Sequence, residues 1–151
     1  FTPEEFEVGV NIFGVTNWVR TLKSIPPWWE AQRLALYREI GNPETQEDML
    51  RAISPLFHAE KVQKPVLVLQ GANDPRVLQV ESDEMVQNIR DAGGTVEYVL
   101  FNDEGHGFTK TDNRIEGWNA ILGFLDSYLK GEIPAMEEEP EVEATEEEAG
   151  N

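Results

Sequence analysis

Val66-Leu67-Val68-Leu69 is a continuous apolar run closed by Pro65 on one side and, one residue further on, by Gly71 on the other. Such a run, with no polar alternation, suits a strand covered on both faces, as strands of parallel sheets are. From Gln79 to Ala92, the apolar residues Met85, Val86, Ile89 and Ala92 recur at helical period, and Gly93-Gly94 supplies a stop. A second strand-like run, Thr95 to Phe101, comes next. Strand, helix, strand in this order describes a crossover unit, so the two strands are expected to lie parallel in one sheet.

The rest of the chain extends this pattern. Glu7 to Val15 has apolar residues at 8, 10, 12 and 13 and a glycine at 14, and is expected to be a strand. Asn17 to Trp29 reads as an irregular aromatic stretch broken by Pro26-Pro27 before Trp28-Trp29. Glu30 to Ile40 has good helix formers stopped by Gly41-Asn42-Pro43, and Thr45 to Ala52 offers a shorter helix ahead of Ser54-Pro55. Arg114 to Lys130 is expected to be an amphipathic helix with Trp118, Ile121, Leu122, Leu125, Tyr128 and Leu129 on one face, ended by Gly131. The expected fold class is therefore α/β, built of parallel strands and crossover helices.

Composition narrows the function classes. With 12 basic residues, no basic cluster and a net charge of −17, nucleic-acid binding is disfavoured. Eight of the negative charges fall between residues 137 and 148 with no lysine or arginine among them. Such a stretch buries too little surface to offset its ordering entropy, so residues 133–151 are expected to form a disordered acidic tail, apart from a domain spanning 1–132. No stretch of about eighteen uninterrupted apolar residues occurs, so no membrane span is indicated. The chain has no cysteine, which excludes disulfides and thiolate metal sites. It opens at Phe1 without an initiator methionine and runs directly into sheet-like sequence, and is read as a fragment of something longer.

The chemistry-bearing residues sit just past two strands. Asp74 lies in Gly71-Ala72-Asn73-Asp74-Pro75-Arg76-Val77 and His106 in Asp103-Glu104-Gly105-His106-Gly107-Phe108. Sites on parallel sheets lie beyond the carboxyl ends of the strands, where both residues fall. An imidazole can take the proton of a hydroxyl nucleophile, and a carboxylate accepting its other ring N–H fixes the tautomer and stabilises the imidazolium. Their order matches the last two members of a Ser, Asp, His triad. Taken singly, the aspartate reads as a turn former and the histidine as a surface residue; their conjunction favours catalysis. His58 lacks comparable context and reads as structural. Ser24, Ser54, Ser82 and Ser127 are all the serines, and none stands in Gly-x-Ser-x-Gly; Ser82 is better placed to cap the helix near Gln79. No second histidine stands at ligand spacing beside Asp103, Glu104 and His106, so metal chemistry lacks support.

Together, Ser54-Pro55-Leu56, Pro65 to Gly71, Asn73-Asp74-Pro75-Arg76-Val77 and Asp103 to Phe108 resemble the catalytic domain of the prolyl oligopeptidase family, over about Phe1 to Glu132. The resemblance implies the C-terminal half of an α/β-hydrolase fold. It implies a serine peptidase acting on short peptides by acyl transfer, with Asp74 and His106 catalytic and no cofactor. It also nominates Arg76 for contact with substrate carbonyl or carboxylate groups, Val77 for the specificity pocket, and Trp28 or Trp29 for its lining. The nucleophile elbow, an oxyanion donor and an N-terminal β-propeller would belong to an upstream part of the same parent chain, so this chain alone is expected to be inactive. Two other readings compete: an α/β-hydrolase esterase fragment, and a noncatalytic half-domain interaction module.

Overall fold

The computed structural model describes residues 3–131, so the acidic stretch expected at 133–151 lies outside the described residues. Three strands, β1 (Gly9–Ile12), β2 (Val66–Gly71) and β3 (Val96–Phe101), form one parallel sheet in the order β1-β2-β3. Gly9 pairs with Val66, and Val66 with Val96. Helices α1 (Trp18–Lys23), α2 (Arg33–Glu39) and α3 (Glu47–Ala52) lie between β1 and β2, α4 (Gln79–Asp91) between β2 and β3, and α5 (Thr111–Leu129) after β3. Proline starts short 3₁₀ turns at Pro3–Glu5, Pro27–Gln32 and Pro55–Lys61, as its fixed φ and missing N–H favour.

The two faces of β2 explain its unbroken apolar run. Leu67 and Leu69 pack with Phe101 beneath Ile121 and Phe124 of α5. On the opposite side Met85 and Ile89 of α4 pack with Leu56 and Ala59, with Val62 and Val96 against them. A satellite core of Val19, Leu22 and Leu50 joins α1 to α3. Among the described residues no helix is long and apolar enough to cross a membrane.

Several sequence expectations change here. β1 is four residues long rather than the nine from Glu7 to Val15, because the Asn11 side chain closes a turn by accepting from the Gly14 N–H at 2.9 Å. Part of the stretch from Asn17 to Trp29 is helical: Asn17 caps α1 by accepting from the Arg20 N–H at 3.1 Å. Ser82 does not cap α4; it lies inside that helix, buried, and donates to Gln70 Oε1 at 2.7 Å. The face assigned to the last helix is also corrected. Trp118, Leu122, Tyr128 and Leu129 are exposed, together with Ile115, while Gly117, Ile121 and Phe124 are buried. The cause is Gly117, where a Cβ would lie 2.6 Å from Phe108 Cζ, so the Phe108 ring seats directly on the helix backbone. A glycine carries no weight in an apolar-periodicity reading, yet it centres the contact.

A buried carboxylate connects α4 to the segment after β1. Glu81 is fully buried; its Oε2 accepts from the N–H groups of Thr16 at 3.1 Å and Asn17 at 3.0 Å, and its Oε1 from the Thr21 hydroxyl at 2.7 Å. Removing the acceptor leaves the Thr16 and Asn17 N–H groups buried without partners, each costing about 1–3 kcal/mol, and frees the half-buried Thr21 hydroxyl. Glu81→Ala is therefore expected to lower the unfolding free energy by about 3 kcal/mol or more, read as a fall in the urea midpoint at unchanged slope; a shift within the few tenths typical of surface changes would contradict this role.

Candidate active site

Asp74 and His106 project from the loops after β2 and β3, and the backbone brings those loops unusually close. A Cβ at Gly71 would stand 2.1 Å from the Gly105 carbonyl oxygen and 2.6 Å from that of Glu104, so only glycine permits this spacing. Hydrogen bonds then lace the loops together: Ala72 N–H to Phe101 O at 2.9 Å, Asn73 N–H to Glu104 O at 3.0 Å, and Asn73 Nδ2 to Asn102 O at 2.9 Å. Behind them Gln70, fully buried, donates through Nε2 to the carbonyls of Gly71 and Val77, both at 3.0 Å, and accepts from Ser82.

Each oxygen of Asp74 has its own partners. Oδ1 accepts from the N–H groups of Arg76 at 2.8 Å and Val77 at 3.0 Å, an Asx turn that sets the side-chain rotamer. Oδ2 faces His106 Nδ1 at 2.7 Å. The aspartate side chain is wholly buried, whereas that of the histidine keeps 32% of its accessible surface. A buried acceptor, immobilised by backbone donors and paired with one ring nitrogen, holds that end of the imidazole and favours the tautomer with the proton on Nδ1, an arrangement in which Nε2 can accept a proton.

The His106 loop is anchored by a residue that the sequence reading did not single out for the site. Glu104 is buried, and its Oε1 accepts from the N–H groups of Thr109 at 3.0 Å and Lys110 at 2.8 Å and from Asn113 Nδ2 at 3.0 Å; Oε2 takes the Thr109 hydroxyl. Two of these donors, the N–H groups of Thr109 and Lys110, lie just before α5, where backbone N–H groups lack helical partners. The Thr109 hydroxyl does most to push the Glu104 carboxyl down to about 2, against the opposing effect of desolvation, with Lys110, Asn113 and the Thr109 N–H adding to the decrease. The available signal was an acidic residue shortly before a helix start, but its spacing from Thr111 exceeds that of an ordinary cap.

The remaining nominated residues separate. Arg76 is exposed, and its guanidinium lies 5.1 Å from the centroid of Trp29, within cation–π range. Trp28 is exposed. Val77 is buried, and its backbone holds Asp74 on one side and Gln70 on the other. All four serines have other bonds: Ser54 Oγ donates to Leu50 O at 2.6 Å, Ser24 to Arg20 O at 2.9 Å, Ser127 to Gly123 O at 2.8 Å, and Ser82 to Gln70. Among the described residues no group of three or more His, Cys, Asp or Glu is arranged to hold a metal ion. An apolar cavity of about 320 Å³, lined by Phe6, Val8, Val62, Val66 and Met85, lies at the opposite end of the strands and takes no part in this arrangement.

The family model described as "Prolyl oligopeptidase family" matches residues 1–132. Dipeptidyl peptidase family member 6 of Caenorhabditis elegans is 42% identical over 135 residues, covering 87% of this chain and 18% of the relative. Dipeptidyl aminopeptidase BIII of Pseudoxanthomonas mexicana is 42% identical over 134 residues, covering 87% and 19%. Among solved structures, a puromycin-hydrolyzing peptidase of Mycobacterium tuberculosis superimposes with a TM-score of 0.75 at 28% identity, covering 82% of this chain and 18% of that one. The acylaminoacyl peptidase of Pyrococcus horikoshii gives 0.71 at 25% identity, covering 83% and 20%. The chain thus spans about a fifth of the length of the curated relatives it matches.

The anchored Glu104 has a pH signature. Its carboxyl is lower in the folded protein than the ordinary 4.5, so the stabilisation it supplies is complete above about 4.5 and is lost as pH falls toward and through about 2. Urea midpoints measured between pH 4.5 and 2 should fall for the wild type, and fall less steeply for Glu104→Gln, which cannot ionise. Parallel acid limbs would contradict the assignment.

Proposed function

Because this chain belongs to the prolyl oligopeptidase family, we propose that it supplies the acid–base half of a serine peptidase site acting on short peptides. His106 is the general base, Asp74 orients it, and the nucleophilic serine comes from another part of the parent polypeptide. The observation that carries this reading is the 2.7 Å bond from His106 Nδ1 to a buried Asp74 carboxylate whose other oxygen is held by two backbone N–H groups. None of this chain's serines supports the nucleophile role, because each already donates its hydroxyl proton to a structural acceptor.

In the reaction, Nε2 of His106 takes the serine hydroxyl proton as Oγ bonds to the scissile carbonyl carbon. The imidazolium, stabilised through Nδ1 by Asp74, then gives that proton to the departing amine as the C–N bond breaks and an acyl-enzyme forms. Water repeats the cycle: Nε2 removes a proton from it as it attacks the ester, and returns the proton to serine Oγ as the ester bond breaks. Arg76, exposed two residues beyond Asp74, serves to bind a substrate carbonyl or carboxylate, with Trp29 limiting its swing. Val77 and Trp28 are the remaining contributors proposed for the substrate pocket.

The test compares the 151-residue chain with its serine-bearing parent on a dipeptide amide substrate and a simple ester. The chain alone should leave the amide uncut, and the parent should cleave it. In the parent, His106→Ala should cost about 10⁶-fold and Asp74→Asn about 10⁴-fold in kcat. Hydrolysis undiminished by His106→Ala, or ester cleavage without amide cleavage, would defeat the peptidase reading.

A further inference from the structure

Phe13 stands directly after β1, with its N–H still on the sheet at 3.0 Å from Leu69 O, yet its φ is +51°. It is the one non-glycine residue with positive φ among the described residues. In that conformation the Cβ of a bulky residue crowds its own backbone, so contacts beyond the local chain must hold it there. The turn that produces it requires glycine one position later: a Cβ on Gly14 would meet Asn11 Oδ1 at 2.2 Å, the oxygen that accepts the Gly14 N–H.

The outcome of this backbone is the placement of a ring. Phe13 is buried, its centroid 5.9 Å from that of the His106 imidazole at 56°, and 5.2 Å from Phe108 at 65°. Phe108 in turn meets Phe101 edge-on at 5.2 Å. Three aromatic rings thus form a continuous support that runs from β3 to the histidine. The bond to Asp74 fixes one atom of the imidazole but leaves rotation about the Nδ1–Oδ2 line. A contact away from that line removes the freedom, and a neighbouring π system also attracts the imidazolium formed when the base takes its proton.

We propose that Phe13 is a positioning residue for His106, held in a left-handed backbone conformation so that its ring restrains the imidazole on Asp74. The proposal rests on the reading of Asp74 and His106 as an orienting carboxylate and base. The chain has only two histidines, so selective ¹⁵N-histidine labelling followed by proton NMR isolates the His106 Nδ1–H and its exchange with solvent. F13L, which keeps an apolar side chain but no π face, should speed that exchange at least tenfold, and F13Y should restore the wild-type rate. F13G relieves the positive φ while removing the ring, and should also exchange fast; it serves if F13L does not fold. Wild-type exchange in F13L or F13G, or equally fast exchange in F13Y, would overturn the role of Phe13. D74N separates the two readings: an Nδ1–H signal that persists unchanged in D74N defeats the Asp74–His106 pairing, whatever the Phe13 variants do.

Discussion

A carboxylate can be withdrawn from water only if its lone pairs are met by donors, and Glu104 satisfies that condition with the backbone just before α5. This single arrangement sets the distance from β3 to its following helix, and thereby the path of Gly105-His106-Gly107 between them. The Glu104 carbonyl also receives the Asn73 N–H, so the same residue that anchors the histidine loop fixes the aspartate loop beside it. Asp74 repeats the device on a smaller scale, one oxygen for its own turn and one for His106. Two buried carboxyl groups, each met by directed hydrogen-bond donors, hold the site's geometry from opposite sides.

The parts legible in the sequence are those governed by periodicity and punctuation. Val66 to Leu69 had to be covered on both faces, and α5 and the cluster under α4 cover it. Asp74 and His106 were visible because each follows a strand and stands among glycines, prolines or asparagines. What escaped depended on contacts that cross from one element to another outside any regular period. Glu104 binds forward across a loop, Glu81 reaches back to Thr16, and Gly117 becomes a core position only because Phe108 rests on it. The left-handed Phe13 violates the rule by which turns are found, since it is an aromatic where glycine or asparagine is expected.

Family membership gives these interactions their context. The chain covers a small share of its relatives' length, but that share carries both loops, their anchors and the sheet edge beside them. Across the outer edge of β1, no strand is paired among the described residues, and Phe13 sits at the end of that strand. The restraint on the histidine therefore begins on one strand and the carboxylate that orients it on the next, so the imidazole reports on the alignment of both.

The spacing of the paired strands bears on the order of assembly. Val66 meets Val96, 30 positions on, whereas Gly9 meets Val66 across 57. Closing the longer loop costs about 0.6 kcal/mol more in chain entropy. The β2-α4-β3 unit is thus the cheaper one to close; it contains Gly71 and Asp74, and Glu104 and His106 follow in the loop directly after β3. Carboxylate and imidazole, 32 positions apart, are joined through the shorter loop, while the Phe13 ring is brought to them through the longer one by the pairing of β1. By loop entropy alone, closing the pair costs less than adding the ring that restrains it.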